Sequence, residues 1–138
     1  MIKKSNWQSK FDDFVYTNMD KKFMWGKWDC CIFSDACIKA MTGQSLIPKQ
    51  LHWVDKESAL ETIRDYGNTL VNSIRKACKE KNLVKIHPSF LQKGDLVIIQ
   101  QETQVCGMYD GSKTIGPSAD GISAISGNKI IEGWRVNA

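Results

Sequence analysis

Histidine is scarce in this sequence: its 138 residues contain two, His52 and His87, so general bases that work near neutral pH are few. No apolar run approaches the roughly 20 residues of a membrane helix. The stretches around Ile98 and Ile130 are far shorter, and no membrane span is expected. The lysines near Met1 are followed by neither an apolar stretch nor a small-residue cleavage site, so a secretory signal is not expected. There is no repeat, low-complexity tract or linker. The five cysteines form no CxxC and have no histidine at ligand spacing, which argues against a structural zinc site. Neither a metal nor a cofactor is expected. The formal charge of +4, from 19 basic and 15 acidic residues, is too mild to indicate nucleic acid without a concentrated patch. Most of it lies in residues 1–93, with 16 basic and 10 acidic side chains, and residues 94–138 are slightly acidic.

What is present suits one compact domain spanning 1–138: 42% of residues are hydrophobic and 25% charged, enough for a core but not for a second domain of ordinary size. An odd number of cysteines cannot all pair within one chain, and a domain of this size does not need disulfides, so free thiols made in a reducing cytosol are expected. Trp7, Phe11, Phe14 and Val15 recur at helical spacing within 7–19, with Ser5 or Asn6 available as N-cap. The aromatic-rich segment 21–29 holds Gly26, which permits a tight turn. Apolar positions from Cys30 to Met41 recur three and four apart, and Gly43 follows as a C-cap. A loop with Pro48 leads to a short helix over 55–66, whose expected buried stripe is Ala59, Leu60 and Ile63. Another helix over 69–81 buries Leu70, Ile74 and Ala77, with Cys78 a further candidate for that face, and Lys76, Lys79, Lys81 and Lys85 read as its wet side. Beyond Pro88 the pattern changes to short apolar pieces, 96–100, 106–109, 113–115, 121–125 and 129–134, separated by Gly, Asp, Asn and Ser, as in an antiparallel sheet with tight turns. Helices first and strands afterwards make an α+β domain, with the N-terminal helices packed on a C-terminal antiparallel β-sheet.

Chemistry has one address. Cys30 opens a helix, where unpaired backbone N–H groups and the helix dipole favour a thiolate. A nucleophilic thiol also needs a histidine on another element, and a polar group to orient it. The ordinary use of Cys30, Cys31 and Cys37 is as small apolar core residues. His52 lies in a loop and His87 precedes Pro88, which holds it extended. Both read as solvated or packing residues, and Asp29, Asp35 and Asp95 as caps and turns. Of the tryptophans, Trp25 and Trp134 are expected in the core, with Trp28 and Trp53 as interface candidates.

The stretch Phe23-Met24-Trp25-Gly26-Lys27-Trp28-Asp29-Cys30 resembles the entry to the catalytic helix of NlpC-type cell-wall cysteine peptidases, which are papain-like. Thr42-Gly43-Gln44-Ser45-Leu46-Ile47-Pro48 resembles the segment after that helix in the same family. Lys93-Gly94-Asp95-Leu96-Val97 and Cys106-Gly107-Met108-Tyr109-Asp110-Gly111 resemble two successive strands of it. The motifs run in the same order over nearly the whole chain. With an N-terminal Trp, the Asp-Cys-Cys helix start and the ending Trp134-Arg135-Val136, the chain looks most like a small family of NlpC-like proteins of tailed phages and prophages.

The resemblance implies a papain-like NlpC-type fold with Cys30 at the nucleophile's position. The family's histidine falls on Val105, with Gln104 just before it, and the third polar residue falls about Gly116. None of these can serve as a base near neutral pH. The expected protein is therefore a pseudoenzyme in which Cys30 is a vestigial nucleophile. It would be a structural or assembly component of a phage tail or tail tip, made in the bacterial host cytoplasm and carried in the virion. Expected partners are other tail proteins, with several copies in a ring, and peptidoglycan is a further candidate. The alternative is an active cysteine peptidase or amidase that cuts peptidoglycan stem peptides during phage entry, with His52 or His87 replacing the lost base.

Overall fold

The structure is a computed structural model that describes residues 1–127 and 129–137. Its first half is helical: α1 (Trp7–Thr17), α2 (Cys30–Thr42), α3 (Lys56–Gly67) and α4 (Leu70–Glu80). Each of the last three begins on a side-chain cap. Asp29 accepts from the Ile32 amide, Asp55 and Ser58 form a reciprocal capping box, and Thr69 accepts from the Asn72 amide; such caps satisfy amides that the helix itself leaves unpaired. Gly43 closes α2 at φ 82°, a left-handed conformation that favours glycine.

The second half supplies β1 (Val84–Ile86), a single 3-10 turn (Pro88–Phe90), β2 (Leu96–Gln100), β3 (Gln104–Tyr109), β4 (Thr114–Ser118), β5 (Gly121–Ala124) and β6 (Lys129–Arg135). They form one six-stranded antiparallel sheet in the order β1-β6-β2-β3-β4-β5. The chain is therefore α+β, with helices preceding the sheet in sequence. β2 lies in the interior of the sheet, and its residues Leu96 to Ile99 are all buried, which is why this strand reads as a continuous apolar run without alternation. Its partner β6 slips register once, between Ile98 and Ile99. At one edge, β1 is three residues long and runs into Pro88. At the other, the Ile122 amide of β5 donates to the Met19 carbonyl at 2.9 Å, and the Phe23 amide donates to the Ser118 carbonyl at 2.8 Å.

The core lies between α2 and the sheet. Phe33, Cys37, Ile38 and Met41 from α2 meet Leu96, Ile98, Cys106 and Met108, with Phe11 of α1 and Leu70 and Ile74 of α4 closing the sides. Fully burying a large apolar side chain of this kind contributes about 1.5–3 kcal/mol relative to leaving it in water. Three carboxylates are buried with it: Asp29, the α2 cap, and Asp95 and Glu132. Asp95 accepts from Arg135 Nε (2.9 Å) and Nη2 (2.8 Å) and from the Gln92 amide (2.8 Å). Glu132 accepts from Arg75 Nε at 2.8 Å, and Lys85 Nζ lies 3.1 Å from it.

Several sequence expectations change here. Leu60 is 45% exposed, so α3 turns inward on buried Ala59 and partly buried Ile63 without it. β1 was not expected, and Lys85 lies on that strand rather than on a helix. Asp95 closes the turn before β2 as expected, its amide donating to the Gln92 carbonyl at 3.0 Å, and its side chain is fully buried. Two tryptophans exchange roles: Trp28 is buried between Phe14 and Phe33, with ring centroids at 5.9 and 5.5 Å, and the Lys21 ammonium lies 4.0 Å from its ring. Trp25 is 36% exposed and packs edge-on against Phe23. Trp134 is buried as expected.

Candidate thiol centre

The loop before α2 is built to hold the helix start in one place. Met24 and Trp28 exchange two backbone hydrogen bonds, of 3.1 and 2.7 Å, around a tight turn. Gly26 in that turn has φ 77°, and a Cβ there would run into the Val54 backbone, so both conformation and space require glycine. Asp29 then fixes three elements at once. Its Oδ1 accepts from the Ile32 amide at 3.0 Å, and its Oδ2 accepts from the Gly26 amide at 3.1 Å and from Trp53 Nε1 at 2.8 Å. Asp35, further along the helix, holds the segment that follows it by accepting from the Leu46 and Ile47 amides at 2.5 and 3.2 Å.

Cys30 and Cys31 are therefore presented at the first turn of α2, both partly exposed, and β3 brings Cys106 against them from the buried side. The three sulfurs all lie within 4.8 Å of one another, and the Cys106 and Cys31 sulfurs are 3.9 Å apart. Ser34 Oγ, one turn further along α2, is 3.7 Å from Cys106 Sγ. Among the described residues this group holds three thiols and no imidazole or carboxylate. Cys37 and Cys78 stand apart as fully buried core residues.

The register of β3 identifies what faces Cys30. Side chains alternate along a strand. Cys106 and Met108 are buried toward the helices, and Gln104 on the same side accepts from the Val71 amide at the start of α4 at 3.1 Å. Val105 and Gly107 belong to the opposite face, where a Cβ on Gly107 would touch Ile125. The residue opposite Cys30 is thus Cys106 rather than Val105. Gly116 sits on β4 beside Ser123 of β5, with Ile125 over it. His87 Nδ1 accepts from the Ser89 amide at 3.1 Å, which caps the 3-10 turn, and its ring packs against Phe90. The His52 carbonyl faces the Thr62 hydroxyl at 3.5 Å. Neither imidazole joins the thiols.

The thiols divide unequally. Hydrogen bonding with Cys106, and after it with Cys31, holds the Cys30 thiol well below its ordinary value, against the opposing effect of burial. The helix N-terminus acts in the same direction. With Cys30 as the anion, Cys31 and Cys106 keep their protons well above the ordinary value. Beside them a small apolar cleft of about 80 Å³ is lined by Cys31 and Cys106 together with Leu46, Trp53, Ile63 and Ile74.

Such an arrangement can present a thiolate, ligate a soft metal or undergo thiol oxidation, but among the described residues no imidazole or carboxylate joins the sulfurs to shuttle a proton at neutral pH. Sequence reasoning located Cys30 and missed Cys31, Ser34 and Cys106 as its neighbours. The available signal was Cys106 within the strand Val105-Cys106-Gly107-Met108, whose alternation places one face on the helix.

A family model described as a domain of unknown function, DUF6950, matches residues 2–136. No curated protein matches the chain.

Proposed function

We propose that this chain, which belongs to the DUF6950 family, is a non-hydrolytic domain of NlpC-like, papain-type architecture that serves as a structural or assembly component of a tailed-phage particle. One observation carries the non-hydrolytic part: Cys30 is met by Cys31 and Cys106 and by no imidazole. A cysteine peptidase needs its thiolate to attack a carbonyl and a nearby acid to return a proton to the leaving amine. The thiols of Cys31 and Cys106 are raised well above the ordinary value, chiefly by their hydrogen bonds within the cluster and by burial, which makes each a weak acid, and Asp29 has its oxygens committed to three N–H donors. The phage context rests on the resemblance carried by the N-terminal Trp, the Asp29-Cys30-Cys31 helix start, Met41-Thr42-Gly43 and Trp134-Arg135-Val136. The exposed Met24, Trp25 and Val54, gathered where the Gly26 turn meets the Val54 backbone, support side-chain packing against other tail proteins or further copies in a ring.

Two measurements test this reading. Incubated with purified peptidoglycan, the wild-type chain should release no more stem-peptide fragments than Cys30→Ala does. Release that depends on Cys30 would overturn the reading in favour of an entry peptidase. Mass spectrometry of purified virions should find the chain in the particle, and its persistent absence would contradict a structural role there.

A further inference from the structure

We propose that Cys30, Cys31 and Cys106 together form a three-thiolate binding site for a soft monovalent d10 cation, Cu(I). Thiolate sulfur selects such ions, and hard cations that prefer oxygen are poorly served by it. Three sulfurs bound in a plane about 2.3 Å from a common ion lie about 4.0 Å apart. In this fold the Cys31–Cys106 edge is already 3.9 Å and no edge exceeds 4.8 Å, so an ion would draw the side chains together by less than an ångström without moving the backbone elements. The donor set also decides between ions. A closed zinc site uses four protein ligands, and here no fourth thiol, imidazole or carboxylate joins the three sulfurs among the described residues.

The surroundings fit an anionic metal–sulfur group. The first-turn amides of Cys30 and Cys31 belong to a helix N-terminus, which favours negative charge, while the next amide, that of Ile32, is already taken by Asp29. The Ser34 hydroxyl, 3.7 Å from Cys106 Sγ, can donate to a bound thiolate and orient it. Partial exposure of Cys30 and Cys31 gives an ion a way in, and the apolar cleft walls the other side. This assignment depends on the thiol geometry alone and not on the particle-assembly reading.

The test titrates the anaerobic, fully reduced full chain with Cu(I) held by bicinchoninate. One equivalent should be withdrawn from the competitor, with a thiolate-to-copper charge-transfer band in the ultraviolet and X-ray absorption reporting three sulfur neighbours. Cys30→Ser and Cys106→Ser should each weaken binding by more than the roughly 10–100-fold that loss of an outer partner costs, whereas Cys37→Ala and Cys78→Ala should bind as the wild type does. If buried Cys106→Ser fails to give a folded circular-dichroism spectrum, Cys30→Ser at its partly exposed position carries the test. Zn²⁺ should bind more weakly and be displaced by equimolar Cu(I). Absence of Cu(I) binding, binding indifferent to Cys30, or Zn²⁺ that Cu(I) cannot displace would each overturn the assignment.

Discussion

Replacing Asp29 with asparagine keeps the shape of the side chain while turning one acceptor into a donor and removing the charge. The native carboxylate is 2% exposed and receives three N–H groups, from Ile32 on one oxygen and from Gly26 and Trp53 on the other. An amide can serve only one of these sides. Turned one way, its NH2 faces both the Gly26 amide and the Trp53 indole; turned the other, it faces the Ile32 amide and the helix loses its cap. The second orientation costs less, and leaves one buried backbone donor unpaired at about 1–3 kcal/mol. The two surviving bonds also change from charge-assisted to neutral, at roughly half the strength. Asp29→Asn should therefore destabilise the fold by about 3 kcal/mol, which for a chain of this length lowers the melting temperature by about 9 °C. Urea denaturation gives the first number and a thermal melt the second. A double-mutant cycle with Trp53→Phe isolates the indole's part: Trp53→Phe should cost less when Asp29→Asn is already present than in the wild type. If Asp29→Asn lies within about 0.5 kcal/mol of the wild type, the range of an ordinary surface substitution, then the carboxylate is not what fixes the start of α2.

Three further outcomes follow from the same structure. In brief iodoacetamide labelling of the metal-free protein near neutral pH, peptide mass spectrometry should find Cys30 modified first. Cys37 and Cys78, whose thiols burial pushes far up, should react only after denaturation, and equal labelling of all five would refute the division. Burial pushes the Glu132 carboxyl upward, but Arg75 and Lys85 outweigh it and hold it below the ordinary value. Its contribution is thus fully present above the unfolded value of about 4.3 and is lost as pH falls through the lower folded value, so Glu132→Gln should flatten that acid limb of the stability curve; an unchanged limb would refute the pairing. Arg135→Met strands the buried Asp95 carboxylate and should cost about 3–5 kcal/mol in urea denaturation. Adding Asp95→Asn should recover part of that loss, and a purely additive pair would show the two groups to be uncoupled.

What could be read from the sequence was whatever repeats locally. α2 announces itself through Asp29, the apolar spacing from Cys30 to Met41, and Gly43, all within one stretch of chain. β1 was invisible because Val84-Lys85-Ile86 is too short to show alternation and exists by pairing with β6, which lies far along the chain. The two tryptophans were exchanged because an aromatic-rich turn has no period to say which ring faces inward. At the thiol centre, the helix start marked Cys30, but the identity of its neighbour depended on strand register. A slip of one residue exchanges every side chain between the two faces, and that slip is the difference between Val105 and Cys106. Asp95 and Glu132 were hidden for a related reason: a charge turns inward when a distant partner meets it, and Arg135 and Arg75 lie on other elements.

The two ends of the sheet bear on how copies of this chain could meet. A free strand edge invites another chain to extend the sheet through backbone pairing. Here β1 offers three residues before Pro88, and the Ile122 amide of β5 is already bonded to Met19. A neighbour has little main chain to pair with at either end. Backbone pairing at either end is thereby disfavoured, and contact with any neighbour is left to side chains, whose identity can choose a partner.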